Sequence, residues 1–127
     1  MADRIRVLVC DDVGMLRELI RYELEEDEGV VVVGEAENGL DGVRLVEELH
    51  PDVVVLDLAM PGIDGLEAIS LMRAAEPPPI ILVHSGFDAA TMRERVLALG
   101  AERYVEKGGN LRELREAVRE VIQERRP

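Results

Sequence analysis

The sequence predicts an α/β fold in which a doubly wound, five-stranded parallel sheet is covered by helices on both faces. Short, mostly β-branched apolar runs alternate with longer amphipathic segments, and this alternation occurs five times along the chain. The apolar runs are continuous, which is typical of strands that are buried on both faces. Five strand–helix pairs in strict order favour a parallel sheet with right-handed crossovers.

The predicted strands are the five continuous apolar runs. They are Ile5 to Cys10, Val30 to Val33, Val53 to Leu56, Ile80 to Val83 and Tyr104-Val105. The segments between them are predicted helices, at about 13–26, 39–49, 65–75, 89–99 and 111–125. The first and last helices are the clearest, because their apolar residues recur every three or four positions. Asn110 is predicted to cap the last helix, and Gly100 to end the helix before it.

Length and composition indicate a single domain over residues 1–127, with an ordered core of about 4–125. A chain of 127 residues can bury a sufficient core without disulfides or a structural metal. Residues 123–127 are interpreted as the start of a linker or as a frayed helix end.

Charge and cysteine content exclude several classes of protein. The formal net charge of −12 makes the chain a poor direct ligand for nucleic acid or for an anionic membrane surface. The single cysteine, Cys10, lies in an apolar run and is expected to be buried, which fits a reducing compartment. No stretch approaches the ~18 apolar residues of a membrane helix, and the N-terminus does not resemble a signal peptide. We therefore expect a cytoplasmic protein.

Polar residues follow four of the five predicted strands. Asp11 and Asp12 follow the first, Asp57 the third, Ser85 the fourth and Lys107 the fifth. In open α/β sheets, ligands bind outside the carboxyl ends of the strands, so these side chains are expected at one edge.

Three carboxylates at one edge repel one another unless a cation lies between them. Oxygen ligands favour Mg²⁺, and a carboxylate beside Mg²⁺ can act as a nucleophile towards phosphorus. A lysine ammonium and a serine hydroxyl could then hold the incoming phosphoryl group.

Each of these residues also has a simpler interpretation. Asp11 and Asp12 could cap the first helix, and Asp57 could be solvated or cap a turn. Ser85 could be an ordinary loop residue and Lys107 a solvated surface lysine. Their coincidence at one predicted edge favours a shared site.

These residues resemble a known family, the receiver domains of two-component response regulators. The resemblance extends over nearly the whole chain and rests on the runs Val7–Asp12, Gly34–Gly39, Pro51–Gly65, Ser85-Gly86, Ala98–Ala101 and Tyr104–Lys107. It implies the flavodoxin-like (βα)5 fold with strand order 2-1-3-4-5. The chain is similar both to chemotaxis regulators and to receivers that are fused to helix-turn-helix DNA-binding domains.

The resemblance implies a Mg²⁺ site and a phosphoacceptor. Asp57 would accept the phosphoryl group and also contact the metal. Asp12 would bind Mg²⁺ directly, Asp11 would hold it through water, and the backbone carbonyl of Ala59 would be the remaining protein ligand.

The resemblance also implies a switch. Ser85 and Lys107 would bind the phosphoryl oxygens, and Tyr104 would turn inward as Ser85 moves, remodelling the face built by helix 4, strand 5 and helix 5. Many receivers have a proline after the lysine, with a cis peptide; here Gly108 follows Lys107. A cis bond without proline costs about 2.5–4 kcal/mol, so this loop is expected to be trans or strained.

The implied function is a signalling switch, phosphorylated by a sensor histidine kinase and acting on a partner or a fused, transcriptional effector. Such a domain is not a turnover enzyme, although it assists its own phosphorylation and dephosphorylation. A phosphorylation-linked homodimer is a further expectation.

Two other classes of protein fit the sequence less well. A dehalogenase-like phosphatase needs an acid two residues after the nucleophile, where this chain has Ala59. A flavodoxin-like cofactor binder needs a phosphate-binding loop and aromatic residues, and the chain has only Tyr22, Phe87 and Tyr104.

Overall fold

The computed structural model describes residues 3–125, with Ala89 described by its backbone alone. Five parallel strands form one sheet in the order β2-β1-β3-β4-β5, which confirms the predicted fold. The strands are β1 (Ile5–Cys10), β2 (Val30–Ala36), β3 (Val53–Leu56), β4 (Ile80–Ser85) and β5 (Arg103–Glu106). The helices are α1 (Gly14–Leu24), α2 (Gly39–Leu49), α3 (Gly65–Arg73), α4 (Ala89–Ala98) and α5 (Leu111–Arg125).

Two apolar cores lie on opposite faces of the sheet. Side chains alternate along β3, so Val53 and Val55 join one core and Val54 the other. The first core contains residues from α1 and α5, and the second contains residues from α2, α3 and α4. Fully burying one large aliphatic side chain contributes roughly 1.5–3 kcal/mol, which explains why helices cover both faces.

Three strands extend beyond their apolar runs, and β5 does so by one residue at each end, Arg103 and Glu106. Strand β2 continues past Val33 to Ala36, because residues 34–36 pair with Leu8–Cys10 of β1. Strand β4 continues through His84 and Ser85, which are both buried. The backbone ladder, rather than side-chain hydrophobicity, sets the carboxyl ends of these strands.

The predicted helix caps are confirmed. The Asn110 side chain accepts a hydrogen bond from the Arg112 amide at 2.8 Å, at the start of α5. Gly100 follows the end of α4 with φ of +110°, a left-handed conformation that glycine adopts without steric cost. Helix α5 includes residues 123–125, while the rest of the predicted linker start, residues 126–127, lies outside the described residues.

The described residues, 3–125, contain no helix that is both long enough and apolar enough to cross a membrane.

Candidate functional site

Two buried aspartates lie side by side at the carboxyl edge of the sheet. Asp11 follows β1 and Asp57 follows β3, and these two strands are neighbours. The backbone fixes both residues, because the Asp57 amide donates to the Cys10 carbonyl and the Asp11 amide to the Ala36 carbonyl, each at 3.0 Å. Asp11 is 1% exposed and Asp57 is 3% exposed, so both carboxylates are largely removed from water.

Asp12 completes the acidic cluster from an exposed position. One carboxylate oxygen from each of Asp11, Asp12 and Asp57 lies within 4.8 Å of the other two. The structure therefore brings together the three carboxylates that the sequence placed at one edge.

Lys107 lies between the two buried aspartates. Its Nζ is 2.8 Å from Asp11 Oδ2 and 3.0 Å from Asp57 Oδ2. Partial burial alone would lower the pKa of Lys107, but hydrogen bonds to Asp11 and Asp57 raise it above its ordinary value. The interpretation of Lys107 as a solvated surface lysine is therefore wrong.

The interpretation of Asp11 and Asp12 as caps of the first helix is not supported. The residue at the N-cap of α1 is Val13, and no side chain forms a cap hydrogen bond there. Asp11 Oδ1 instead accepts from the Val13 amide at 2.9 Å, which holds the loop after β1.

Asp57 is neither solvated nor only a turn residue. Its Oδ1 accepts from the Ala59 amide at 3.1 Å, and its Oδ2 faces Lys107. One oxygen is thus fixed by the following loop while the other lies among the charged groups of the site.

Ser85 and Tyr104 lie close together on the neighbouring strands β4 and β5. Ser85 ends β4 and is fully buried, and among the described residues its Oγ has no hydrogen-bond partner. The Tyr104 hydroxyl lies beside Ser85 but donates to the Phe87 carbonyl. The Ser85 backbone carbonyl accepts a hydrogen bond from the Lys107 amide at 2.8 Å. This backbone hydrogen bond fixes the position of Lys107 relative to Ser85.

The loop after Lys107 is trans. Among residues 3–125 the only cis peptide is Glu76–Pro77, so the Lys107–Gly108 bond does not carry the cost of a cis form. Gly108 has φ of +103°, a conformation that an L-residue with a side chain rarely adopts. Glycine therefore makes the turn that aims Lys107 without a proline.

Sequence reasoning gave no role to His84. It is buried, and within the described chain its Nδ1 has no hydrogen-bond partner. Burial, then the charge of Lys107, lowers the pKa of His84 to about 4, so the imidazole is neutral near pH 7. The only indication of His84 in the sequence is that it is a single ionisable residue at the end of an otherwise apolar strand.

The acidic cluster fits a divalent cation. All three side chains offer oxygen ligands, and the buried Asp11 Oδ2 is paired with the Lys107 ammonium at 2.8 Å. Such a donor set matches Mg²⁺, which retains several waters and needs few carboxylates.

Comparison with known proteins identifies the family of this chain. The family model of the response regulator receiver domain matches residues 7–119. The response regulator GacA of Pseudomonas aeruginosa is 39% identical over 118 residues, which are 93% of this chain and 55% of GacA. A protein-glutamate methylesterase/protein-glutamine glutaminase of Myxococcus xanthus is 42% identical over 104 residues, which are 81% of this chain and 30% of that protein.

A solved structure matches the whole fold. The signal receiver domain of the response regulator NarL from Mycobacterium tuberculosis has a TM-score of 0.90 and 32% identity, over 98% of this chain and 100% of that chain.

Fold and site together define a doubly wound α/β signalling domain with an acidic centre at the carboxyl edge of its sheet. The chain belongs to the family of response regulator receiver domains, the switch modules of two-component systems, in which phosphorylation of an aspartate is characteristic. It spans about half the length of GacA and less than a third of the methylesterase.

Proposed function

We propose that this chain is a phosphorylation-dependent switch whose phosphoacceptor is Asp57. The observation that carries the proposal is the environment of this one carboxylate. It is buried, its Oδ1 is held by the Ala59 amide, and its Oδ2 lies 3.0 Å from Lys107 Nζ. A carboxylate fixed in this way is oriented for attack before a donor arrives, which lowers the entropic part of the barrier.

The transfer requires one bond to form and one to break. A carboxylate oxygen of Asp57 attacks the phosphorus of a phosphohistidine or a small acyl phosphate, and the bond from phosphorus to the donor nitrogen or oxygen breaks. Lys107 is protonated and can pair with the phosphoryl oxygens. The unpartnered Ser85 hydroxyl can donate to another of these oxygens.

The proposed metal ligands are Asp12, Asp57 and the backbone carbonyl of Ala59, with Asp11 acting through water. Bound Mg²⁺ would supply positive charge to the transferring phosphoryl group and relieve the repulsion among the carboxylates.

The proposed output is a change in the face built by α4, β5 and α5. When Ser85 moves to bond the phosphoryl group, the contact between the Tyr104 hydroxyl and the Phe87 carbonyl is the one placed to respond. Because Phe87 precedes α4 and Tyr104 lies in β5, a change in this contact shifts two elements of that face together.

We infer a single receiver domain over residues 1–127, without turnover activity of its own, that is phosphorylated by a sensor histidine kinase. GacA is a response regulator of about twice this length, which supports an effector fused beyond this chain, and a transcriptional output is the one we favour. A cytoplasmic location, a phosphorylation-linked homodimer and the absence of direct nucleic acid or membrane binding belong to the same proposal.

Intact-mass spectrometry after incubation with acetyl phosphate tests the central claim. We expect a gain of one phosphoryl group that requires Mg²⁺ and is lost in Asp57→Ala. Asp52→Asn is a matched control, because Asp52 lies at the opposite end of β3, where it accepts from the Arg6 amide at 2.8 Å. A phosphoryl group retained in Asp57→Ala would overturn the assignment of the acceptor, and no gain in the parent protein would overturn the switch.

A further inference from the structure

Arg17 connects the acidic site to a cluster of charged side chains formed by Arg17, Arg21 and Glu35. Its Nη1 donates to the backbone carbonyl of Asp11 at 2.7 Å, and its Nε donates to Glu35 Oε1 at 2.9 Å. The guanidinium therefore joins the loop after β1 to the end of β2. Two donors of a planar guanidinium used at once fix its position more firmly than one contact could.

A second arginine holds Glu35 from the other side. Arg21, one turn further along α1, donates from Nε and Nη2 to Glu35 Oε2 at 3.0 and 2.9 Å, and from Nη1 to the Val32 carbonyl at 3.2 Å. Burial alone would raise the pKa of Glu35, but hydrogen bonds from Arg21 and Arg17 lower it below its ordinary value. Glu35 is thus a charged anchor that keeps Arg17 in place near pH 7.

The Asp11 carbonyl belongs to the peptide group that joins Asp11 to Asp12. A hydrogen bond to this carbonyl fixes the orientation of the peptide plane and so the direction in which the Asp12 side chain leaves the backbone. Asp12 is exposed, and no hydrogen bond or ion pair from residues 3–125 orients its carboxylate. Its approach to Asp11 and Asp57 therefore depends on the backbone.

We propose that Arg17, anchored by Glu35, is a positioning residue that orients the Asp11–Asp12 peptide for Mg²⁺ binding. This inference rests on the proposed function, since it assigns Mg²⁺ to the acidic cluster. Groups that orient metal ligands from outside the coordination shell typically contribute about 10- to 100-fold to metal affinity.

The sign of the effect separates positioning from simple electrostatics. Arg17 is a cation near a cation site, so removing its charge would by itself strengthen Mg²⁺ binding. Loss of positioning has the opposite effect, because the two aspartates no longer share a fixed geometry. Arg17→Gln should therefore bind Mg²⁺ more weakly if Arg17 positions the aspartates, and more tightly if Arg17 acts only through its charge.

The experiment is isothermal titration of the unphosphorylated protein with MgCl2, which needs no phosphoryl transfer. We expect Arg17→Gln to raise the Kd for Mg²⁺ about tenfold. Arg17→Lys should also raise it, because an ammonium keeps the charge but cannot bridge the Asp11 carbonyl and Glu35. Phosphorylation by acetyl phosphate at saturating Mg²⁺ should approach the parent rate in both variants.

Arg21→Gln is the matched control. It removes the same charge from the same helix and a contact with Glu35, but it leaves the hydrogen bond from Arg17 to Asp11, so its Kd should stay within about twofold of the parent value. If Arg17→Gln and Arg21→Gln bind Mg²⁺ equally well, or if Arg17→Gln binds it more tightly, the proposal is wrong.

Three further outcomes bear on the role of Arg17. If circular dichroism shows that Arg17→Gln is unfolded, Arg17→Lys carries the test alone because it keeps the charge, with a raised Kd expected and an unchanged Kd contradicting the proposal. If the parent protein binds Mg²⁺ but accepts no phosphoryl group, the proposed function fails while the positioning role of Arg17 is still measured. A parent protein that binds no Mg²⁺ would overturn both.

Discussion

His84 is a buried imidazole with charged neighbours, and it makes the folded state sensitive to acid. Its pKa is lowered to about 4 in the folded protein, chiefly by burial and then by Lys107, whereas an unfolded histidine titrates near its ordinary value of 6.5. Between these two values the unfolded chain binds a proton that the folded chain does not. Folding stability therefore falls as the pH drops from about 6.5 towards 4.

We predict that His84→Leu flattens this pH dependence. The parent protein should lose roughly 3 kcal/mol of unfolding free energy from this one group over the interval, and the leucine variant should not. Urea denaturation in the presence of EDTA at a series of pH values measures the difference.

His50 provides the control for this experiment. It is exposed and has φ of +49°, so His50→Asn keeps a side chain that tolerates the left-handed conformation. This variant should follow the parent curve. If His84→Leu also follows it, the histidine does not titrate as the site geometry indicates.

At the scale of elements, ion pairs tie α5 to the segment around α1. Arg119 of α5 contacts Asp27 at 2.7 Å through Nη2 and at 3.0 Å through Nε, and Arg115 contacts Glu23 at 2.8 Å. Burial alone would raise the pKa of Asp27, but hydrogen bonds from Arg119 and the Gly29 amide lower it below its ordinary value. A lowered carboxylate pKa adds stability above the unfolded pKa, and this stability is lost as the pH falls through the folded pKa.

We predict that Asp27→Asn lowers the unfolding free energy by about 1 kcal/mol at pH 7, because a partly exposed bidentate pair becomes a neutral hydrogen bond. The difference from the parent protein should shrink as the pH falls below 4, because the unfolded parent chain then takes up a proton that the folded Asp27 resists. Chemical denaturation at both pH values tests this. Glu116→Gln, on the exposed face of the same helix, should leave the unfolding free energy unchanged at pH 7 and below pH 4. If Asp27→Asn lowers the unfolding free energy equally at all pH values, packing and not charge is responsible.

The bounds of the strands were predictable where apolar side chains mark the whole strand. They were less predictable where backbone pairing extends a strand through polar residues. The valine-rich β3 was predicted with its observed bounds, Val53–Leu56, because it is apolar from end to end. Strand β4 was ended too early, at Val83, since the polar residues His84 and Ser85 interrupt the apolar pattern although both are buried.

The site could be predicted from the topology of the sheet, and not from the residues that surround each site residue in the sequence. Parallel strands that end at one edge bring Asp11, Asp57 and Lys107 together whatever residues lie between them. The contact of Arg17 with Glu35 follows no such rule. It joins two surface-type residues 18 positions apart, and nothing in the sequence distinguishes them from the other charged residues of the chain.

At the scale of the whole molecule, the chain carries a net charge of −12, and three of its carboxylates lie close together at the acidic site. Lys107 neutralises part of this charge, and a divalent cation would neutralise more. Because a ligand that binds only the folded state stabilises it, Mg²⁺ at a hundredfold excess over its Kd should add about 2.7 kcal/mol to the unfolding free energy.

We predict a rise in Tm with MgCl2 that NaCl of equal ionic strength does not reproduce. Asp12→Asn should remove most of this rise, and it should leave the metal-free protein at least as stable as the parent, because one of three neighbouring negative charges is gone. Thermal denaturation followed by circular dichroism measures both effects. An equal rise in the variant would mean that Mg²⁺ acts at another place or through general screening.

Cys10 lies at the end of β1 directly beneath this site, 1% exposed, and burial followed by the charge of Asp11 raises the pKa of its thiol to about 12. At neutral pH the sulfur is therefore both enclosed and protonated, and maleimides or other thiol reagents should leave it untouched. As it is the only cysteine of the chain, one new cysteine on α4 or α5 would be the sole attachment point for a spin label or a dye. The sequence thus already provides the unreactive background that spectroscopy of the face built by α4, β5 and α5 requires.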